Sequence, residues 1–192
     1  AFYDEPWLIA FDSFLTEEEC DRFISIKSGD EFEASSTYDY NDDGTSEHVL
    51  VEERTSETKW CFDCENDPIL APVYERIINV TNGIPFQNHE DIQLLKYEEG
   101  QFYRNHHDYA DLHVSKPCGP RILTMYFYLN DVEAGGGTHF PYLNEDGFTI
   151  SPKKGRAVLW PSVLDKYPSR MDPRTFHEAL EVEKGKKFGA NV

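Results

Sequence analysis

"DIQLLKYEEGQFYRNHHDY", residues 91–109, is an apolar run that breaks at a glycine and resumes as a segment ending in a knot of histidine and aspartate. Its first part, "DIQLLKY", reads as a short strand, and "EEG" as the turn that closes it. Side chains alternate along an extended chain. His106 and Asp108 therefore share one face, and His107 points to the other. The stretch ends with an H-x-D pair at the tip of a strand, a placement from which two side chains can grip one metal ion.

The rest of the C-terminal half follows the same pattern. "RILTMYFYL", "FTI", "RAVLW" and "KKFGANV" are short and rich in aromatic or β-branched residues, and "AGGG", "NEDG" and "PKKG" punctuate them. Many short strands separated by glycine turns indicate an all-β sandwich or barrel. The N-terminal half differs. "WLIAFDSFLTEEECDRFISIKS" predicts a short strand and then a helix capped by Thr16, with Glu17, Glu18 and Glu19 in the first turn, where the helix dipole favours anions. "NDPILAPVYERIINVTNG" predicts a second helix, capped by Asn66 or Asp67, with Pro68 in its first turn and Gly83 beyond its end. Residues 29–47, polar and without periodicity, predict a long loop of the kind that forms lids. The expectation is one domain over residues 1–192. It would be mainly β with supporting helices: helical support over about 1–90 and a double-sheet core over about 91–192.

The formal charge of −18, from 36 acidic and 18 basic residues, repels polyanions, so nucleic acid and anionic membrane surfaces are unsuitable partners. No apolar run approaches the ~20 residues of a membrane span. The chain begins at Ala1 without a signal-peptide pattern and is read as a mature or trimmed form. Cys61 and Cys64 have zinc-ribbon spacing, but no second pair exists to complete four ligands. They and Cys20 and Cys118 are read as a disulfide or plain thiols, with the pairing open. "NVT" at Asn79 is a glycosylation sequon.

Two ligands do not make a metal site. The best third is His177, in the apolar-alternating "RTFHEALEV" near the C-terminus. Two histidines and a carboxylate on one face of an octahedron leave three positions open, the facial triad of non-haem Fe(II) oxygenases. A keto-acid cosubstrate can fill two of these and O₂ the third. Its far carboxylate then needs a cation, which Lys187, on the next strand, can supply.

These segments together resemble prolyl 4-hydroxylases, which are Fe(II)- and 2-oxoglutarate-dependent dioxygenases. "YEEGQFYRNHHDY" resembles their Y-x-x-G-Q-x-Y-x-x-H-x-D segment. "RILTMYFYLNDVEAGGGTHFP" resembles R-x-x-T-x-x-x-Y-L followed by G-G-x-T-x-F-P. "PKKGRAVLW" and "HEALEVEKGKK" resemble the two motifs that follow, although Glu181 stands where the family often has proline. "FLTEEECDRFI" and "RTSETKW" extend the likeness over nearly the whole chain.

The resemblance implies a double-stranded β-helix, or jelly roll. It implies iron on His106, Asp108 and His177, and Lys187 paired with the far carboxylate of 2-oxoglutarate. Tyr97 would hydrogen-bond the cosubstrate, Thr124 would line its pocket, and Tyr103 and Arg121 would face the substrate. The reaction implied is hydroxylation of peptidyl proline at C4, with succinate formed from 2-oxoglutarate and ascorbate rescuing uncoupled cycles. The aromatic residue such enzymes place after the lysine strand would lie past Val192.

Other residues are read as bystanders. His107 faces away, His113 is solvated, and His139 sits at a variable position of the motif. His48 and His89 carry no signal. Gly135–Gly137 form a tight turn, not a phosphate cradle. Two alternatives share the fold: a dioxygenase acting on another side chain or a small molecule, and a non-catalytic jelly-roll binding module. The compartment expected is the endoplasmic reticulum or secretory route, with the cytoplasm as alternative. Oligomeric state and the identity of the proline-containing substrate are left open.

Overall fold

A computed structural model describes residues 6–27, 31–40, 46–115 and 117–192. Strand β1 (Ile9–Phe11) leads into helix α1 (Glu17–Ser25). Thr16 accepts from the Glu19 amide while the Glu19 carboxylate accepts from the Thr16 amide, a reciprocal capping box that fixes where the helix begins. Next come β2 (Glu33–Ala34), β3 (Thr37–Tyr40), β4 (Ser46–Val49) and β5 (Glu57–Cys61). Helix α2 (Ala71–Val80) precedes β6 (Ile92–Tyr97), β7 (Tyr103–His106) and β8 (Leu123–Tyr128). The chain continues through β9 (Ala134–Gly135), β10 (Thr138–Phe140), β11 (Phe148–Ile150) and β12 (Ala157–Pro161). It ends with β13 (Val163–Leu164), β14 (Tyr167–Met171), β15 (His177–Ala179), β16 (Val182–Lys184) and β17 (Lys187–Asn191).

Seven antiparallel strands form the major sheet, in the order β1-β12-β8-β17-β6-β5-β2, and four form the minor sheet, β11-β10-β15-β7. Residue alternation divides the major sheet between two cores. Met125, Phe127, Leu159, Ile92, Leu94 and Ala190 face the helices, where Phe23 of α1 and Val73 and Ile77 of α2 cover them. Tyr126, Tyr128, Val158, Trp160, Leu95 and Tyr97 face the minor sheet and pack with Phe140 and Ile150. With both faces covered, β12 is buried along its whole length. This is the jelly roll with helical buttresses that the sequence implies. Arg76 of α2 pairs with Glu19 at 2.6 Å and Arg22 of α1 with Asp67 at 2.6 Å, so two ion pairs join the helical layer.

Three local expectations change. Residues before 90 are more than helical support, because β1, β2 and β5 join the major sheet. The second helix starts at Ala71, later than its sequence suggests. Asp67 caps the preceding turn, accepting from the amides of Ile69 and Leu70, and Pro72 takes the early helical position where its missing N–H costs nothing. The polar segment 29–47 carries β2 and the β3–β4 hairpin, while residues 28–30 and 41–45, where the lid reading partly falls, lie outside the described residues. Cys61 and Cys64 form a buried disulfide; Cys20 is a buried thiol and Cys118 an exposed one.

Candidate active site

Strands β7 and β15 pair antiparallel with His177 directly opposite His106, and Asp108 lies two residues past the end of β7. Register alone thus unites the two sequence motifs. The His106 Nδ1 lies 2.8 Å from the Arg104 carbonyl and the His177 Nδ1 lies 3.1 Å from the Thr175 carbonyl. A carbonyl can only accept, so both Nδ1 atoms carry hydrogen, and each Nε2 is left with its lone pair. These lone pairs meet at Asp108. Its Oδ1 is 3.9 Å from the His106 Nε2 and its Oδ2 is 3.6 Å from the His177 Nε2. All three ligand atoms lie within 4.8 Å of one another. Two imidazole nitrogens and one carboxylate oxygen on one side of a shared centre fit a divalent iron with open positions.

The electrostatics keep these groups ready to bind. Burial, helped by the neighbouring His177 ring, pushes the His106 imidazole well below its ordinary range against the pull of Asp108, so its lone pair is free at neutral pH. Burial alone would raise the Asp108 carboxyl, but the two imidazoles and a hydrogen bond from Thr124 hold it below the usual carboxylate range. That bond, Thr124 Oγ1 to Asp108 Oδ2, is 2.6 Å. Thr124, expected to line the cosubstrate pocket, is thus placed against the metal-binding carboxylate, whose orientation it fixes.

Aromatic rings wall the centre. Trp160 meets the His177 ring edge-on at 4.9 Å, and Phe140 lies 5.5 Å away. Tyr103 stacks on His106, with ring centroids 3.6 Å apart and planes at 14°. Arg54 covers the other side of Tyr103, 4.7 Å from its centroid. Arg121 forms a two-pronged ion pair with Glu90, at 2.5 and 2.8 Å, and lies close enough to influence both Asp108 and Tyr103. Sequence reasoning missed Trp160, Phe140 and Arg54. All three lie within segments that carry the family resemblance, Phe140 and Trp160 at motif positions and Arg54 at the head of "RTSETKW", but a motif position does not say which ring or cation it will meet.

Deeper in, β17 pairs with β6 so that Lys187 stands opposite Tyr97. Lys187 is 1% exposed, and its Nζ has no hydrogen-bond partner. The rings of Tyr97, Tyr126 and Tyr128 surround it at 5.0, 5.2 and 5.5 Å. Burial lowers its pKa to about 7. Aromatic faces offset only part of the cost of burying an ammonium, and among the described residues no carboxylate pairs with this one. The far carboxylate of a 2-oxo dicarboxylic acid matches this orphaned ammonium in charge.

His107 points away from the triad, as alternation requires, but it is no bystander. Its Nδ1 accepts from the Tyr109 amide at 2.9 Å. Its Nε2 therefore carries hydrogen, 3.0 Å from both the Asp172 carbonyl and the Thr175 hydroxyl. It ties the Asp108 loop to the turn that precedes His177. Replacing His107 by Ala orphans these buried groups and is expected to lower stability by about 1–3 kcal/mol; urea unfolding of the metal-free protein measures the loss. His139 bonds Thr149 and His113 lies in a short turn, both outside the ligand cluster.

Comparison with known proteins agrees with this geometry. The sequence profile of the 2OG-Fe(II) oxygenase superfamily matches residues 92–192. Prolyl 4-hydroxylase 1 of Arabidopsis thaliana is 34% identical, over 96% of this chain and 67% of that protein. A putative prolyl 4-hydroxylase of Acanthamoeba polyphaga mimivirus is 28% identical, over 99% of this chain and 74% of that protein. The crystal structure of a viral collagen prolyl hydroxylase from Paramecium Bursaria Chlorella virus-1, in complex with 2OG, superposes with a TM-score of 0.72 at 26% identity. That match covers 100% of this chain and 97% of that one.

Proposed function

The chain belongs to the 2OG-Fe(II) oxygenase superfamily, and from that premise we propose that it hydroxylates peptidyl proline at C4. The observation that carries the reading is the joint presence of three converging ligand atoms and, behind them, a buried ammonium without a partner. The prolyl hydroxylases among its relatives supply the substrate class.

With iron and 2-oxoglutarate bound, the centre would supply activation of O₂, one atom of which enters a C–H bond as a hydroxyl while the other enters the succinate formed as 2-oxoglutarate loses carbon dioxide. The chain's own residues do the rest. His106, Asp108 and His177 hold the ion from one side and leave the other side free. Lys187 holds the far carboxylate, and Tyr97 adjoins it. Trp160, Phe140 and Tyr103 exclude water from the reacting face. Tyr103, Arg54 and the Arg121–Glu90 pair form the rim that the peptide meets. An acidic protein of this kind suits a neutral or basic proline-rich peptide and disfavours nucleic acid.

Ascorbate serves as the reductant for cycles that run without peptide. Among the described residues no helix is long and apolar enough to cross a membrane. The Cys61–Cys64 disulfide and the exposed Asn79 sequon support a secretory-route location. Incubation of a proline-peptide library with the protein, Fe(II) and 2-oxoglutarate, read by mass spectrometry, is expected to show hydroxylation confined to proline. Succinate formation that no proline peptide stimulates would remove the substrate assignment while sparing the dioxygenase.

A further inference from the structure

Tyr126 sits on β8 between Thr124, which orients Asp108, and Tyr128, which lines the lysine pocket. Its side chain is buried and its hydroxyl has no hydrogen-bond partner. The other two tyrosines around Lys187 differ. The Tyr128 hydroxyl lies 2.6 Å from Thr138 Oγ1 and donates to the Ile150 carbonyl, and Tyr97 is hydrogen-bonded to Ser56. One hydroxyl and one ammonium, each capable of donating and each without a partner, therefore share a single inner face.

Gly189 explains how the hydroxyl comes to be there. Gly189 does not have the positive φ that calls for glycine, so backbone conformation does not require it. A Cβ at this position would overlap the Tyr126 Oη and Cζ. Glycine at 189 is what lets the tyrosine extend across β17. Lys187 and Gly189 are two residues apart and face the same way, so the phenol oxygen lies next along the strand from the lysine. A buried hydroxyl that loses its water and finds no partner is costly to keep. Packing alone would be served as well by phenylalanine.

We propose that the Tyr126 hydroxyl is a second donor to the distal carboxylate of 2-oxoglutarate, beside Lys187, and that Gly189 is the residue that makes room for it. This rests on the assignment of the chain as a 2-oxoglutarate oxygenase and identifies which of its own residues select a dicarboxylic cosubstrate. A charge-assisted hydrogen bond fixes the position of the far carboxylate, and with it the length of oxoacid accepted.

The test is calorimetric titration of 2-oxoglutarate into protein loaded with Mn(II), which needs no turnover. Tyr126→Phe is expected to weaken binding about tenfold or more, while the thermal midpoint of the unliganded protein stays level or rises because no existing bond is lost. Gly189→Ala is expected to weaken binding as well, by displacing the tyrosine. If the wild type binds 2-oxoglutarate and Tyr126→Phe binds it within about twofold or more tightly, the hydroxyl only fills space and the proposal is overturned. If the midpoint falls, the hydroxyl is bonded within the empty protein, and the proposal is likewise overturned. If the wild type itself does not bind, the oxygenase assignment fails instead, so the two failures are distinct.

Discussion

His177→Ala should abolish peptide-stimulated succinate formation and reduce metal affinity by more than the 10–100-fold that losing an outer partner of a ligand typically costs. The substitution removes one of the three side chains that converge among the described residues and leaves His106 and Asp108, which alone cannot define a face of the coordination sphere. The fold should survive. The ring's loss opens a void beside Trp160 and Phe140 and breaks one bond to the Thr175 carbonyl, a cost of about 3–5 kcal/mol against the 5–15 kcal/mol that typically holds a domain together. Metal titration by calorimetry, with near-ultraviolet circular dichroism as the check on packing, separates the two effects. Undiminished metal binding with native packing would falsify the assignment of His177 as a ligand.

Lys187→Met should act in opposite directions on stability and on binding. In the empty protein the ammonium is buried without an anion, so an apolar side chain of similar length should raise stability by an amount on the order of a few kcal/mol. The same change should weaken 2-oxoglutarate at least about a hundredfold, because it leaves the far carboxylate facing only hydroxyls. The pH dependence has a definite sign. Burial holds the folded-state pKa at about 7, whereas an unfolded lysine titrates near ~10.4. Between these values the unfolded chain carries the extra proton, so the stability of the empty wild type rises with pH across that window and levels off below it. Cosubstrate affinity runs the other way. Above about pH 7, binding must take up a proton, and affinity should fall by up to about tenfold per pH unit. Urea unfolding and calorimetric titration over a pH series should show both slopes in the wild type and neither in Lys187→Met. An empty variant less stable than wild type would mean that the ammonium is already paired.

The features legible in the sequence were those set by short-range rules. Alternation from His106 to Asp108 put both on one face and sent His107 to the other, and the capping box at Thr16 fixed the start of the first helix. His177 and Lys187 could be chosen because strand order and spacing constrain which distant side chains meet. The second helix began late because Asp67 closes its own turn and pairs with Arg22, a partner 45 positions away that no local pattern indicates. The β3–β4 hairpin was hidden because its two four-residue strands are set in a run rich in Asp, Ser and Gly that reads as loop. Arg54 and Glu90 reach the site only through tertiary neighbours, Tyr103 and Arg121. Tyr126 looked like one more core aromatic, since an unpaired hydroxyl is visible only in three dimensions.

The pairing of His106 against His177 also sets how occupancy and shape depend on each other. Strand β7 is the outermost of the minor sheet. It is joined on one side to β15 through an irregular register and on the other to the Arg54–Tyr103 bridge and the backbone bonds around it. An ion gripped by Asp108 and both imidazoles rivets this edge strand to its neighbour, and Tyr103, stacked on His106, is carried with it. Any ion that favours the closed pairing shifts the population toward it by mass action. Metal affinity and the strength of the β7–β15 seam are therefore linked, and an ion held by all three side chains adds its binding free energy to the pairing that carries Tyr103.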